Sequence, residues 1–472
     1  MVYDAIVIGS GISGLTAAAR LVSKHKKVLL IEKQESLGGY FSGFVTENGD
    51  KLDYAISYVL SCGENEVVNK FLKELGLQDR IQFKKLNKTD DIYLPNRHLT
   101  FEGGKEEFRQ ILCNEFPDNK EEIDHLIEWL TLFQEGVASQ GSDAMKFFFN
   151  YFRQDFEKFL DKNITNEELK AVLALRIQAD PASLMIMAGF IVECFFNGMY
   201  YPVGGAQRFS EILGEYISEN GGVIQCNTEI TGFETNEGKV FCAVSQRGEK
   251  FYADNFVFNG DVISLFKYYL PDAELMEKEI KKINNRVIGH SSLSIYLVVE
   301  DYDLSRFQGG RVYWSDTYDV FGVYRQIEGG KIPSNYIVKL HFPCNYDTTL
   351  THGNRQLIRI ETDIYYNPEV DSEDKYLSYA EDILNKIEAT LLVDLHKHIK
   401  FKKVITPIEF QRLFGHSNAS GTGWAHTTYN TMISKFSQKT PYSNLYIAGQ
   451  WGEFGSGLRQ LVLSSEKTTN YI

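Results

Sequence analysis

A short apolar strand, Tyr3–Ile8, and a second, continuous apolar run, Val28–Ile31, open the chain, separated by a glycine-rich turn and the apolar stretch Leu15–Val22. Continuous apolar runs bounded by glycine predict buried parallel strands, so the start reads as a βαβ unit. From about Glu64 to Asp180 the period lengthens to about 3.6 residues. Val67, Phe71, Leu72 and Leu75 share one predicted helix face, and Ile123, Leu126, Ile127, Leu130 and Phe133 share another. An aromatic stripe follows over 145–160, with Met145, Phe148, Phe149, Phe152, Phe156 and Phe159 on one side. Core packing suffices for such a stripe, yet Phe147 and Tyr151 fall off it and widen the apolar surface. Ala182–Tyr201 comes nearest to a membrane span, but Glu193 and Asn197 interrupt it, so it reads as buried protein.

After Tyr201-Pro202-Val203-Gly204-Gly205 the pattern predicts a helix over 206–220, ended by Gly221-Gly222, and a strand over 223–226. Phe233, Val240–Val244 and Phe256–Asn259 complete a small strand group. Alternation over 292–363, as in Ser294–Val299 and Tyr336–Leu340, predicts an antiparallel sheet with one solvated face. Residues 374–395 read as helix, 404–414 and 444–448 as strand, and a last helix begins near Gly457. With no repeat and no flexible linker, the expected class is α/β. A Rossmann-type domain formed by 1–63, 200–290 and 400–472 is interleaved with a helical region, 64–199, and an antiparallel sheet region, 291–399.

Charge narrows the function classes. With 49 Lys+Arg against 63 Asp+Glu, the chain carries a formal charge of −14, which argues against a nucleic-acid partner. The six cysteines form no CxxC pair and no His/Cys/Asp cluster has metal spacing, so no metal site is expected. No secretory leader precedes the first strand, so the expected location is cytoplasmic, with peripheral membrane contact left open.

Gly9-Ser10-Gly11-Ile12-Ser13-Gly14 fits G-x-G-x-x-G, follows a strand and opens a helix, the context in which this motif binds a dinucleotide. Gly9 serves the tight turn, Gly11 the approach of a pyrophosphate, and Gly14 close packing of helix on strand. Glu32 ends the second strand and is placed to accept from ribose hydroxyls. Gly38-Gly39 offers a second close-approach turn, and no second nucleotide motif follows.

These segments, together with Leu52-Asp53, Tyr201–Gly205, Asn259-Gly260-Asp261, Thr406-Pro407, Gly421–Trp424 and Asn444–Leu458, resemble the amine-oxidase-like flavoproteins. The likeness is nearest to their phytoene desaturase, carotenoid isomerase and retinol saturase branch. The resemblance implies non-covalent FAD. Gly11, Ser13 and Gly14, with Gly9 and Ile12 beside them, would hold the pyrophosphate. Glu32, with Lys33 next to it, would hold the adenosine ribose, Gly38, Gly39 and Tyr40 the second turn, and Ile230 the adenine. Gly449 and Gln450 would touch the phosphate and ribityl chain, and Gly457 and Leu458 the flavin. Tyr40 stands where the family often has Arg, which removes one phosphate counter-charge. Trp424, His426, Trp451, Glu453 and Arg459 fall beside the flavin segments and are the candidates for the substrate face.

The implied activity is desaturation, saturation or isomerisation of carbon–carbon bonds in a hydrophobic polyene, isoprenoid or natural-product substrate. The electron acceptor or donor is left unknown. A flavin amine oxidase is the alternative, and a non-redox binding protein like the Rab GDP-dissociation inhibitors is a third reading. The aromatic helical segment, Phe148 and Phe152 above all, is expected to face the 291–399 sheet across a largely apolar cavity ending near Trp451.

Overall fold

The computed structural model describes residues 2–138, 147, 149–432 and 436–472. Met145 and Phe148 of the aromatic stripe lie outside them. Strand Val2–Ile8 pairs in parallel with Val28–Ile31 on one side and Lys250–Phe258 on the other. Val223–Gln225 extends this sheet beyond Val28–Ile31. Lys250–Phe258 divides its other edge, pairing antiparallel with Lys239–Ser245 and parallel with Leu445–Ile447.

Both faces of this sheet are covered, which is why Ala5–Ile8 and Val28–Ile31 are apolar at every position. Ala5, Val7, Val28 and Leu30 pack beneath helices Ile12–Ser23, Gly205–Glu219 and Leu458–Thr469. Ile6, Ile8, Leu29 and Ile31 pack on the opposite side with Phe256, Phe258, Trp424 and Trp451. The first and last helices of the chain lie together, and Ser13 Oγ donates to the Leu461 carbonyl at 2.9 Å.

The second sheet runs in the order Ile399–Ile405, Ser291–Glu300, Arg355–Ile364, Ile337–His341, Gly309–Ser315, Lys88–Leu94, Arg97–Glu102. Two sequence expectations are corrected by it. The region 64–199 is not purely helical, because the hairpin Lys88–Leu94 and Arg97–Glu102 joins this sheet through parallel pairing with Gly309–Ser315. Its two-residue turn, Pro95-Asn96, lacks the glycine that marks such hairpins in a sequence. Residues 404–414 are not one strand either. The strand Ile399–Ile405 belongs to the second sheet, and a helix, Pro407–Phe414, starts where Thr406 caps the Glu409 N–H and Pro407 takes the first helical position.

The stretch 182–201 resolves into helix Leu184–Ile191, a π-helical turn Val192–Asn197 and the short strand Tyr200–Pro202. Among the described residues no helix is long and apolar enough to cross a membrane.

Candidate dinucleotide and substrate site

The turn after the first strand is built by close backbone packing. Gly9 sits at φ +94°, in the left-handed region, and the Asn259 side-chain amide donates to the carbonyls of Gly9 and Gly11 at 3.3 and 3.1 Å. A Cβ on Gly11 would meet that amide at 2.9 Å, and one on Gly39 would meet the Gly11 Cα at 3.4 Å. The cradle therefore accepts glycine; its Gly9 N–H is spent on the Ile31 carbonyl and its Ser10 N–H on Glu32, which leaves the N–H groups at the start of the following helix to meet a ligand.

Glu32 is 7% exposed and fastens this turn to the second strand. One carboxylate oxygen accepts from the Ser10 N–H at 2.7 Å and the Ser10 hydroxyl at 2.6 Å, and the other from the Gln34 N–H at 2.9 Å. A carboxylate has about four acceptor positions, so one remains on the second oxygen, where a ribose hydroxyl fits.

One cavity of about 920 Å³ runs from this turn through the molecule. At one end stand Glu32, Lys33 and Ile230. Its middle is bordered by Gly9, Gly11, Ile12, Ser13, Gly38, Gly39, Tyr40, Gln450, Gly457 and Leu458, and Trp424, His426, Trp451, Glu453 and Arg459 line it as well. Every proposed site residue borders this one space except Gly14 and Gly449. Those two pack behind it: a Cβ on Gly14 would penetrate the Gly9 carbonyl oxygen, and one on Gly449 would meet Asn259 Oδ1 at 2.6 Å. Their glycines serve close packing and do not border the ligand space.

The five substrate-face candidates differ in what they can do. Trp424 Nε1 donates to the Trp451 carbonyl at 2.8 Å, the two indoles meet edge to face at 4.8 Å, and Trp451 Nε1 donates to His416 Nδ1 at 3.0 Å. Both indole N–H groups are thus engaged within the protein. Glu453 pairs with Lys467 of the last helix at 2.5 Å. Arg459, half-buried, has no carboxylate within ion-pair distance among the described residues.

His416, which carries no sequence signal, also lines the cavity, stacked on Tyr40 at 5.3 Å. Tyr40 spends its hydroxyl on the Ser420 carbonyl at 3.2 Å, and burial with Asp261 nearby holds its phenol protonated. The Arg that the family often has here is therefore not replaced by another charge.

Burial, with Lys33 nearby, lowers His416 to about 3, and burial, with His290 nearby, lowers His426 to about 4. Both rings are neutral at physiological pH. For His426 the folded value lies below the unfolded value of 6.5, so its stabilisation is full above pH 6.5 and is lost as pH falls toward 4. Between pH 7 and pH 5 this one group should weaken the fold by about 2 kcal/mol. In His426→Gln that part of the acid sensitivity should vanish. Urea unfolding of both proteins at the two pH values measures it, and an unchanged slope would contradict a buried neutral ring.

Beyond the tryptophans the cavity opens between helices and the second sheet. Phe133, Met185, Ile186, Phe190 and Val192 form an apolar wall, broken by Gln134, Glu193 and Asn197. The loop Tyr54–Ser61 lies beside it. The facing sheet surface presents Ser292, Ser294, Arg311 and Glu361. An expectation is corrected here: the chamber is two-faced, and its sheet side is polar. Among the described residues the aromatic segment 147–159 contributes nothing to the apolar wall. Phe152 is absent from the lining, Phe156 and Phe159 are buried in the core, and Phe147 packs on Trp129 and Tyr151. Among the described residues no cluster of His, Cys, Asp and Glu could hold a metal ion.

Residues 7–75 match the family of NAD(P)-binding Rossmann-like domains. Over its whole length the chain is 22% identical to the 4,4'-diaponeurosporene oxygenase of Staphylococcus aureus (strain MW2), covering 98% of that protein. Its fold is similar to that of an oxidoreductase from Methanosarcina mazei, with a TM-score of 0.71 at 15% identity over 99% of each chain. It is also similar to cyclohexylamine oxidase from Brevibacterium oxydans IH-35A, with a TM-score of 0.66 at 14% identity over 100% of this chain and 98% of that one. The chain thus carries a Rossmann-like domain within a fold similar to that of these two solved structures.

Proposed function

We propose that the protein is an FAD-dependent oxidoreductase that desaturates, saturates or isomerises carbon–carbon bonds of a substrate with an extended apolar body. The observation that carries this reading is the single cavity joining the glycine cradle and Glu32 to the N-terminus of the last helix, then continuing into the chamber beside the second sheet. A long dinucleotide fits that course. Gly11 and Ser13 would receive its pyrophosphate, the free acceptor position of Glu32 its ribose, and Ile230 its adenine. At the other end the first-turn N–H groups of helix Leu458–Thr469 have no acceptor within the helix and favour negative charge. Gln450 Nε2 is buried with no partner among the described residues, a donor suited to the same ligand. Bound FAD would supply two-electron hydride acceptance or donation. Trp424 and Trp451, fixed by their hydrogen bonds, would hold the boundary between cofactor and substrate and exclude water from it.

The apolar wall of Phe133, Met185, Ile186 and Phe190 supports a hydrophobic substrate body, and the relative from Staphylococcus aureus is named for a carotenoid. A flavin amine oxidase is the weaker reading. An ammonium entering the chamber would face Arg311 on the sheet, with Glu361 already shared by Arg359 at 3.4 Å and Lys339 at 3.8 Å.

The purified protein should carry one flavin per chain, seen as flavin absorbance in the visible. Heat or acid should release it into the supernatant, since the reading is non-covalent. A colourless protein that stays colourless after incubation with FAD would overturn the proposal.

A further inference from the structure

The sheet side of the chamber is a buried ionic floor, and its ion pairs are nearly closed. Register places Ser294 opposite Glu361, Glu361 opposite Lys339, Lys339 opposite Tyr313, and Arg311 opposite Asp90, all on one face. Within ion-pair distance, Lys339 holds Asp363 at 2.6 Å and shares Glu361 with Arg359, while Arg176 holds Asp90. Arg359 spends its terminal nitrogens on the carbonyls of Asp53, Ala55 and Ile56 and on Ser57.

Arg311 is different. Among the described residues no carboxylate lies within ion-pair distance of it. Its contacts are the Ser57 hydroxyl at 3.2 Å and the Tyr313 hydroxyl at 3.5 Å, and its Nε has no partner. Its guanidinium lies over the rings of Tyr58 and Tyr313, at 5.1 and 5.9 Å, which orients it along the cavity wall. A cation in such a place is costly unless a counter-charge meets it. The other acid on this part of the lining, Glu193, belongs to the helical wall and accepts from Ser61.

We propose that the substrate is amphipathic, with its apolar body against the helical wall and a carboxylate-type anionic head paired with Arg311. This deepens the proposed function and rests on its assignment of the chamber to substrate. A planar guanidinium with unspent donors matches a carboxylate in two-point geometry, which an uncharged end group cannot reproduce.

The test compares decanoate, methyl decanoate and decan-1-ol as probes, titrated calorimetrically into the purified full-length protein. Decanoate should bind about tenfold or more tightly than its ester or alcohol. In Arg311→Gln that preference should disappear while ester affinity stays unchanged. In Arg311→Lys, which keeps the charge without the fork, part of the preference should remain. Equal affinities in the unmodified chain, or no binding of any of the three, overturn the proposal. So does a Gln variant that loses acid and ester affinity by the same factor. The unmodified protein decides the question even where a variant fails to fold. A flavin-free protein would sink the proposed oxidoreductase while leaving the decanoate preference measurable by the same titration.

Discussion

Gly14→Ala is expected to weaken FAD binding about a hundredfold while leaving a folded chain. The added Cβ would press into the Gly9 carbonyl oxygen and come within 2.8 Å of the Asn259 amide. Neither neighbour can yield easily, because Asn259 also holds the Gly11 carbonyl and Gly9 is bonded to Ile31 of the second strand. The helix Ile12–Ser23 must therefore move outward, taking with it the N–H groups that face the cradle. Overpacking of this kind costs about 1–3 kcal/mol, and its upper end corresponds to about two decades in affinity when the strain falls on the ligand-bound geometry. Gly232→Ala is the control, since its Cβ would meet nothing closer than the Tyr269 carbonyl oxygen at 3.9 Å. Titration of the flavin-free proteins with FAD separates the two. Equal affinity of Gly14→Ala and the unmodified protein would show that the cradle does not carry the cofactor.

That cradle was legible in the sequence because its parts are close together. Gly9, Gly11 and Gly14 sit in one turn, and Glu32 ends the next strand, so spacing alone put them in register. The distant partners were less so. Asn259, far along the chain, was visible as part of a turn but not as the amide that ties Gly9 to Gly11. His416 gave no signal at all.

The second sheet shows a different limit. Alternation over 292–363, as in Ser294–Val299 and Tyr336–Leu340, predicted a sheet with one polar face, and that face was assigned to solvent. The structure turns it inward. Leu293, Ile295, Ile358 and Ile360 enter the main core, while Ser294, Glu361 and Arg311 face the cavity. A period of two residues distinguishes the faces of a strand without saying which one meets water. A polar face closed over by a helical segment from elsewhere in the chain looks, in one dimension, like a surface. The same ambiguity explains why the aromatic stripe was assigned to the chamber: periodicity marks an apolar face, and Phe156 and Phe159 spend theirs on the core.

Arg176→Met should lower stability by about 3–5 kcal/mol, the range for removing one partner of a buried ion pair. Asp90 is fully buried, and its Oδ1 has no hydrogen-bond partner among the described residues. Burial pushes its carboxyl up, and Arg176 first, then Arg311, pulls it back down. Methionine preserves much of the packing, since the Arg176 guanidinium lies over the rings of Tyr58, Phe195 and Tyr313 at 5.6, 5.1 and 5.6 Å and a thioether also packs well on aromatics. The loss is then chiefly electrostatic, and Arg176→Met with Asp90→Leu should recover most of it, because no stranded charge remains. Urea unfolding of the unmodified protein, the single variant and the double variant gives all three values. A double variant no more stable than the single would assign the loss to packing instead. The single variant bears on the chamber as well. Arg311 is opposite Asp90 in the sheet, and it is free for a ligand because Arg176 already occupies that carboxylate. With Arg176 gone, Asp90 becomes the nearest unpaired counter-charge for Arg311, so the preference for decanoate over its ester should shrink in Arg176→Met and return in the double variant.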